Sequence, residues 1–159
     1  MGVEIERKFL VRRELWPGTS TIEKSTPYQQ GYLSREPGRT VRVRRAGDQA
    51  FLTIKGASVG LVRPEFEYAI PLGDAAPLLA LSVGPVIEKV RHLVDVEGHT
   101  WEVDEFEGAN AGLVVAEIEL DDPDESFARP PWAGDEVTDD PRYLNSNLGL
   151  HPFSEWKPR

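Results

Sequence analysis

The sequence contains no cysteine and only one methionine among its 159 residues. The absence of cysteine excludes disulfide bonds and thiolate metal sites, and it suits a cytoplasmic protein, which we expect this chain to be. The three histidines, at positions 92, 99 and 151, do not show the spacing of a metal site. A metal bound here would therefore have oxygen ligands.

The sequence also lacks long apolar runs and an excess of basic residues. No stretch approaches the roughly 20 apolar residues that a membrane-spanning helix needs. The formal net charge is -9, from 27 acidic and 18 basic residues, and such a balance argues against non-specific binding to DNA or RNA. We therefore expect a single domain over residues 1–159, a monomer or a homodimer, with neither membrane nor nucleic acid as a partner.

Alternation of apolar and polar residues predicts a mainly β protein. The expected strands cover residues 3–11, 28–34, 40–45, 50–56, 63–71, 84–96, 99–107 and 113–121. Residues 13–27 contain two proline turns and are predicted to form a loop with at most one helical turn. Eight short strands, mostly joined as hairpins, favour an antiparallel barrel, although a sandwich fits the strand count as well.

Two short helices are predicted outside the strands. Residues 74–82 are rich in leucine, and Asp74 is a suitable N-cap for them. The second helical segment lies around 139–149, in an acidic, proline-rich tail. Asp139 or Asp140 is its expected N-cap, because a proline follows near the first helical position.

Charged residues recur at every second position of the predicted strands. Glu4, Glu6 and Lys8 share one face of the first strand, because alternate side chains of a strand point to the same side. Ordinary solvent-exposed faces would explain such a pattern, but like charges side by side on a sheet destabilise it unless something neutralises them. The residues alone leave both interpretations open. The other charged residues in phase are Arg42, Arg44, Lys55, Arg63, Glu65, Glu67, Lys89, Arg91, Glu102, Asp104, Glu117 and Glu119.

A surface that carries both charge types permits a specific chemistry. Arginine and lysine bind phosphate oxygens, and clustered carboxylates suit hard cations such as Mg²⁺ or Mn²⁺. A metal held between carboxylates and a phosphate chain polarises the phosphoryl group and positions water. The pattern therefore indicates metal-assisted chemistry on a small polyanion, a di- or triphosphate.

Seven motifs of the chain, in this order, resemble those of the CYTH superfamily, the triphosphate tunnel metalloenzymes. They are Glu4-x-Glu6-x-Lys8 and residues 40–44, 52–56, 65–68, 89–91, 101–104 and 116–120. The resemblance runs from residue 3 to about residue 150. It implies an eight-stranded antiparallel β-barrel whose charged face lines a tunnel, with a few peripheral helices and a C-terminal helix near one mouth.

The resemblance also implies roles for the charged residues. The main metal is expected between Glu117, Glu119 and either Glu4 or Glu6, while Glu6 or Glu65 orients the attacking water. Lys8 is expected both to contact the phosphate chain and to take part in catalysis. The implied triphosphate ligands are Lys8, Arg42, Arg44, Lys55, Lys89 and Arg91. The implied metal ligands are Glu4, Glu6, Glu67, Asp104, Glu117 and Glu119.

Within the superfamily, the short bacterial tripolyphosphatases show the strongest resemblance, through residues 106–113, 132–138 and Arg142-Tyr143-x-Asn145. The expected reaction is metal-dependent hydrolysis of tripolyphosphate to pyrophosphate and phosphate. A class IV-type adenylate cyclase and a thiamine triphosphatase of the same fold are the alternatives. A non-catalytic polyphosphate-binding module is a further one, although pure binding would need mainly the basic residues.

Overall fold

The computed structural model describes residues 2–156 of the chain. Within them, two α-helices accompany the strands: α1 (Leu72–Leu79) and α2 (Asn145–Leu148). Short 3₁₀ turns lie at Arg13–Leu15, Gly108–Asn110, Pro141–Tyr143 and Phe153–Glu155. The strands are β1 (Gly2–Val11), β2 (Ile22–Ser34), β3 (Arg39–Ala46), β4 (Gln49–Gly56), β5 (Val62–Ile70), β6 (Ile87–Val96), β7 (His99–Phe106), β8 (Val114–Glu119) and β9 (Ala133–Glu136).

Eight of these strands form a closed antiparallel barrel in the order β5-β4-β3-β2-β6-β7-β8-β1. The barrel closes because the first half of β1 pairs with β5, with Glu4 opposite Arg63. On its other edge β1 pairs with β8, with Lys8 opposite Glu117. The predicted eight-stranded antiparallel barrel is confirmed, and the sandwich is not formed.

The main apolar core lies outside the barrel wall. Outward-facing side chains of β1, β6, β7 and β8 pack beneath the segment that leads into β9. The ring of Trp101 lies 5.5 Å from that of Phe9 and 5.5 Å from that of Trp132, and all three side chains are buried. Because the apolar faces are buried on this side, the charged faces of the same strands point into the barrel.

Two strands differ from the prediction. The second strand begins at Ile22, so residues 22–27 of the predicted loop are strand, and β9 was not predicted. Pro27 is tolerated inside β2 because its carbonyl accepts from the amide of Gly47 just beyond the end of β3. The backbone nitrogen of Pro27, which has no hydrogen to donate, faces the same side. The ladder with β3 has already ended there, so no ladder hydrogen bond is lost.

The helices also differ from the prediction. Helix α1 begins at Leu72, directly after Pro71, so the N-cap expected at Asp74 is wrong and Asp74 lies in the first turn. In the tail, Asp140 caps a 3₁₀ turn by accepting from the backbone amide of Arg142. The helical segment expected around 139–149 is therefore a turn followed by the four residues of α2.

Within residues 2–156, no helix has the length and the apolar character that crossing a membrane requires.

Candidate active site

The barrel encloses a cavity of about 930 Å³. The side chains in phase along the strands converge on it, so they are not ordinary solvent-exposed faces. Lys89 and Asp104 lie behind the lining and are fully or almost fully buried. The charged residues that line the cavity are Glu4, Glu6, Lys8, Lys24, Arg42, Arg44, Asp48, Lys55, Arg63, Glu65, Glu67, Arg91, Glu102, Glu117 and Glu119.

Closure of the barrel brings Lys55 of β4 against Glu4 of β1. The Lys55 ammonium donates to both Glu4 carboxylate oxygens, at 2.9 and 3.1 Å. Glu65 lies directly across from Lys55 in the β4–β5 ladder. Burial and the charge of Glu4 together raise the pKa of Glu65. At this part of the cavity, the carboxyl group of Glu65, whose pKa is raised, therefore lies near the carboxylate of Glu4, which is paired with Lys55.

Thr53 joins Arg42 and Glu67 across three neighbouring strands. The guanidinium of Arg42 donates to the Thr53 hydroxyl at 3.2 Å, and that hydroxyl donates to a Glu67 oxygen at 3.1 Å. The charged groups of Arg42 and Glu67 themselves lie 3.7 Å apart. The hydroxyl thus fixes the position of Arg42 while leaving its charge only loosely compensated.

Asp104 binds two cations at once. Both of its oxygens accept from Arg91, at 2.8 and 2.9 Å, and Lys89 lies 2.7 Å away. Burial works against ionisation, but the charges of Arg91 and Lys89 prevail and hold the pKa of Asp104 far below its usual range. Arg91 also donates to Glu102 at 2.6 Å. This arrangement favours a role for Asp104 in holding Arg91 and Lys89 over a role in metal binding.

The carboxylates of β1 and β8 form a cluster. Burial raises the pKa of Glu6 well above its usual value, and the charges of Glu117 and Glu4 add to this effect. Glu117 behaves differently because Lys8 lies 3.7 Å away: burial opposes ionisation, yet Lys8 and Arg91 lower the pKa of Glu117 to about 2. Glu119 lies opposite Glu6 in the ladder between the two strands.

The tail lies against one end of the cavity, at the position expected for the C-terminal helix. Leu144, Asn145 and Ser146 contribute to the lining. Lys8 donates to the carbonyl of Tyr143 at 3.1 Å, and Lys89 donates to the side-chain oxygen of Asn145 at 3.0 Å. The two most deeply placed lysines are therefore held in part by the tail.

A model of the CYTH domain matches residues 2–147. This chain belongs to the CYTH family. The inorganic triphosphatase of Acetivibrio thermocellus is 49% identical over 158 residues, which is 99% of both chains. The inorganic triphosphatase of Nitrosomonas europaea is 36% identical over 151 residues, covering 92% of this chain and 97% of its own. The resemblance inferred from the seven motifs is thus confirmed.

Solved structures agree with this family. The crystal structure of an inorganic triphosphatase, 35% identical, covers 94% of this chain and 96% of its own with a TM-score of 0.66. The structure of a putative adenylyl cyclase from Hippeastrum is 16% identical and has a TM-score of 0.56, over 77% of this chain and 81% of its own. At that identity the second match concerns the fold alone.

The carboxylates of this CYTH domain fit a hard cation by their chemistry. Glu4, Glu6 and Glu117 offer oxygen donors only. Burial raises the pKa of Glu6 and the charges of Glu117 and Glu4 raise it further, and a divalent ion would relieve this repulsion between the carboxylates. Yet among residues 2–156 no three acidic or histidine side chains are already gathered around one point. Glu4 pairs with Lys55 and Glu117 faces Lys8 instead, so ion binding requires these side chains to rotate.

Two inward-facing residues of the CYTH domain, one at the cavity lining and one behind it, escaped the sequence analysis because they carry no charge. The ring of Tyr28 lies beneath the guanidinium groups of Arg44 and Arg91, at 4.8 and 5.0 Å from its centroid. Gln30 is fully buried and accepts from Arg44. Both have the inward parity of β2, so extending the alternation rule to neutral polar residues would have found them.

Proposed function

We propose that this CYTH domain is an inorganic triphosphatase, which hydrolyses tripolyphosphate to pyrophosphate and phosphate with a divalent metal ion. The observation that carries the proposal is the convergence of cationic and carboxylate side chains on one cavity inside the barrel. Phosphoryl transfer needs mainly positioning and charge neutralisation, which this lining can supply. The two relatives that share almost the full length of the chain carry the same activity in their names.

The cationic side chains bind the phosphate chain. Arg42 and Arg44 lie two positions apart on β3, so their guanidinium forks face the cavity side by side. Guanidinium groups bind phosphate oxygens in bidentate fashion, whereas lysines act as point charges. Lys8, Lys55, Lys89 and Arg91 complete the set, and tripolyphosphate competes for them with the carboxylates that hold them now.

The carboxylate cluster would hold the metal ion, with Glu4, Glu6, Glu117 and Glu119 as the main ligands. Their all-oxygen donor set suits Mg²⁺ or Mn²⁺. When bound, the ion supplies charge neutralisation and polarises the phosphoryl group. Glu67 lies across the cavity beside Arg42, where it would serve a second ion. Asp104, which is expected to be a ligand from the resemblance, would have to leave Arg91 and Lys89 to reach a metal.

Glu65 or Glu6 orients the attacking water. A raised pKa suits a carboxyl group that accepts a proton from water near neutral pH, and both residues have one. The oxygen of water bonds to a terminal phosphorus, the bridging bond to the next phosphate breaks, and pyrophosphate leaves. Lys8 contacts the phosphate chain near Glu117 and contributes charge to the phosphoryl group under attack.

A substrate panel tests this function. Purified protein is incubated with tripolyphosphate, ATP or thiamine triphosphate, each with Mg²⁺, Mn²⁺ or a chelator. We expect phosphate release to be fastest from tripolyphosphate and to stop when the metal is chelated. Cyclic AMP and pyrophosphate formed from ATP, without phosphate release from tripolyphosphate, would refute the proposal in favour of a cyclase.

A further inference from the structure

The cations of the cavity differ in the groups that hold them. Lys55 pairs with Glu4 at 2.9 Å, and Arg91 binds Asp104 through two hydrogen bonds. Arg44 is different, because among the residues that the structure describes no carboxylate forms an ion pair with it. Its Nε donates at 3.1 Å to the amide oxygen of Gln30 instead. A neutral acceptor thus fixes this guanidinium without cancelling its charge.

The surroundings of Gln30 show how the fold builds this contact. Gln30 is 0% exposed and lies directly opposite Arg44 in the ladder between β2 and β3. Burial lowers the pKa of Arg44 to about 10, and the nearby charges of Arg42 and Arg91 add to the effect. A positive charge that is buried among other positive charges is costly unless an anion arrives to share it.

Asn145 is a second neutral acceptor, at the tail end of the cavity, for a cation that also has a carboxylate partner. The ammonium of Lys89 has Asp104 at 2.7 Å and donates a second hydrogen bond to the Asn145 side-chain oxygen at 3.0 Å. Asn145 lines the cavity and Lys89 is fully buried behind it. The second acceptor of Lys89 is therefore a neutral amide, although a carboxylate at position 145 could accept the same hydrogen bond.

We propose that Gln30 and Asn145 are positioning residues for tripolyphosphate binding, which orient Arg44 and Lys89 through neutral acceptors and so keep this part of the cavity positively charged. The proposal rests on the proposed function, since it names how that site favours a polyanion. A carboxylate at either position would keep the hydrogen bond but would add a negative charge beside the phosphate chain. Such a charge repels the substrate at short range and is poorly screened in a buried site.

The test uses the near-isosteric variants Gln30→Glu and Asn145→Asp in the full chain. We expect each to raise the KM for tripolyphosphate by roughly 10- to 100-fold, because a like charge nearby costs a few kcal/mol at an effective dielectric of about 20. We expect kcat to change far less. Calorimetric titration of the metal-free protein with tripolyphosphate should show the same loss of affinity, while the melting temperature does not fall.

Gln29→Glu is the matched control. Gln29 is the neighbouring residue on β2, faces outward and contacts Glu88 on the surface. The same chemical change there adds a charge at a solvated position, so we expect KM and affinity within about twofold of the wild type. A rise in KM as large as that of Gln30→Glu would overturn the proposal, because net charge rather than position would then explain the effect.

Several outcomes separate this proposal from its rivals. Unchanged affinity for tripolyphosphate in both amide variants would overturn the proposal. A fall in melting temperature with an unchanged KM would overturn it too, because that result indicates a purely structural role for the amides. If Gln30→Glu does not fold, two other variants decide the result. One is Asn145→Asp at the cavity lining, and the other is Gln30→Met, which removes the acceptor but keeps the shape. A wild-type protein that binds tripolyphosphate without cleaving it refutes the proposed function and leaves the binding test of the amides intact.

Discussion

At the scale of single residues, ion pairs between different strands hold most charged side chains of the cavity in place. The shortest are Arg91 with Glu102 at 2.6 Å and Lys89 with Asp104 at 2.7 Å, and Lys55 pairs with Glu4 at 2.9 Å. Removing one partner of a buried ion pair leaves the other charge uncompensated. The resulting loss of stability is larger than the stability that the intact pair contributes. Substitutions in this cavity therefore need measurements of both stability and activity.

Glu119→Gln is expected to abolish metal-dependent turnover. The change removes one negative charge from the proposed metal ligands while it keeps the size of the side chain. We expect kcat to fall by at least ~100-fold, since even changes behind a metal ligand cost 10- to 100-fold. The measurement is phosphate release at increasing Mg²⁺. Glu23→Gln, at an exposed position of β2, is the control, and unchanged turnover in Glu119→Gln would remove the metal assignment.

Lys55→Ala is expected to weaken substrate binding more than it slows the chemical step. Hydrogen bonds to charged groups contribute about 1.5–3 kcal/mol, so the KM for tripolyphosphate should rise roughly tenfold or more. Steady-state kinetics with saturating metal separate KM from kcat. A large loss of kcat at constant KM would contradict the binding role and would place Lys55 at the reacting phosphate.

The charged part of the cavity could be predicted from the sequence because parity along a strand is a local property. Glu4, Glu6 and Lys8 needed only the alternation rule to be placed on one face. Which carboxylate pairs with which cation could not be predicted, since the register between strands distant in sequence decides it. The neutral residues Tyr28 and Gln30 were missed because the alternation rule was applied to charged side chains only, although both share the inward parity of β2.

At the scale of elements, an aromatic layer holds β9 and its preceding segment on the barrel. Trp132 packs edge-on against Trp16 at 5.0 Å and against Trp101 at 5.5 Å. Its indole nitrogen donates to the hydroxyl of Ser20 at 3.0 Å. The tail that reaches the cavity follows directly after this layer, so the packing outside the barrel supports the lining inside it.

Trp132→Ala is expected to lower the free energy of unfolding by about 3–5 kcal/mol, as deletion of a buried large aromatic side chain does. Trp132 is 1% exposed, so the change leaves a cavity in the layer. Denaturant titration measures the effect. Leu81→Ala, at a position 67% exposed, should change stability by less than about 0.5 kcal/mol. Equal effects of the two changes would contradict the role of the layer.

The strands and helices were predicted well where apolar and polar residues alternate regularly, and poorly where tertiary contacts determine the structure. Strand β9 has only four residues, and two of them are glycine and alanine, so nothing local marks it as a strand. It forms because β5 covers only the first half of one edge of β1 and leaves the second half to be paired. The tail helix was expected to be longer because caps were recognised, whereas contacts with the barrel interrupt it after Tyr143.

At the scale of the whole molecule, the buried carboxylates make stability depend on pH. Lys8 and Arg91 lower the pKa of Glu117 to about 2 against the opposing effect of burial, from a usual value of 4.5. A carboxyl group whose pKa is lowered on folding stabilises the folded protein. This stabilisation is complete at a pH above the pKa of the group in the unfolded chain, and it is lost as the pH falls through the pKa in the folded protein.

The metal-free protein is therefore expected to lose stability between about pH 4.5 and pH 2. Urea titrations with a chelator present, at steps of pH across this window, measure the loss. Glu117→Gln removes one titrating group, so its free energy of unfolding should depend less steeply on pH than that of the wild type. A slope identical to that of the wild type would show that Glu117 does not carry this dependence.

The closure of the barrel through β1 also sets an order of events during synthesis. Strand β1 leaves the ribosome before its partners β5, β8 and β9, and the last two follow it by more than 100 residues. Strands that must wait for distant partners fold slowly and expose unpaired edges in the meantime. The carboxylates of β1 and β8 meet only after Glu119 has emerged, so a nascent chain that ends before β8 cannot contain the proposed metal site.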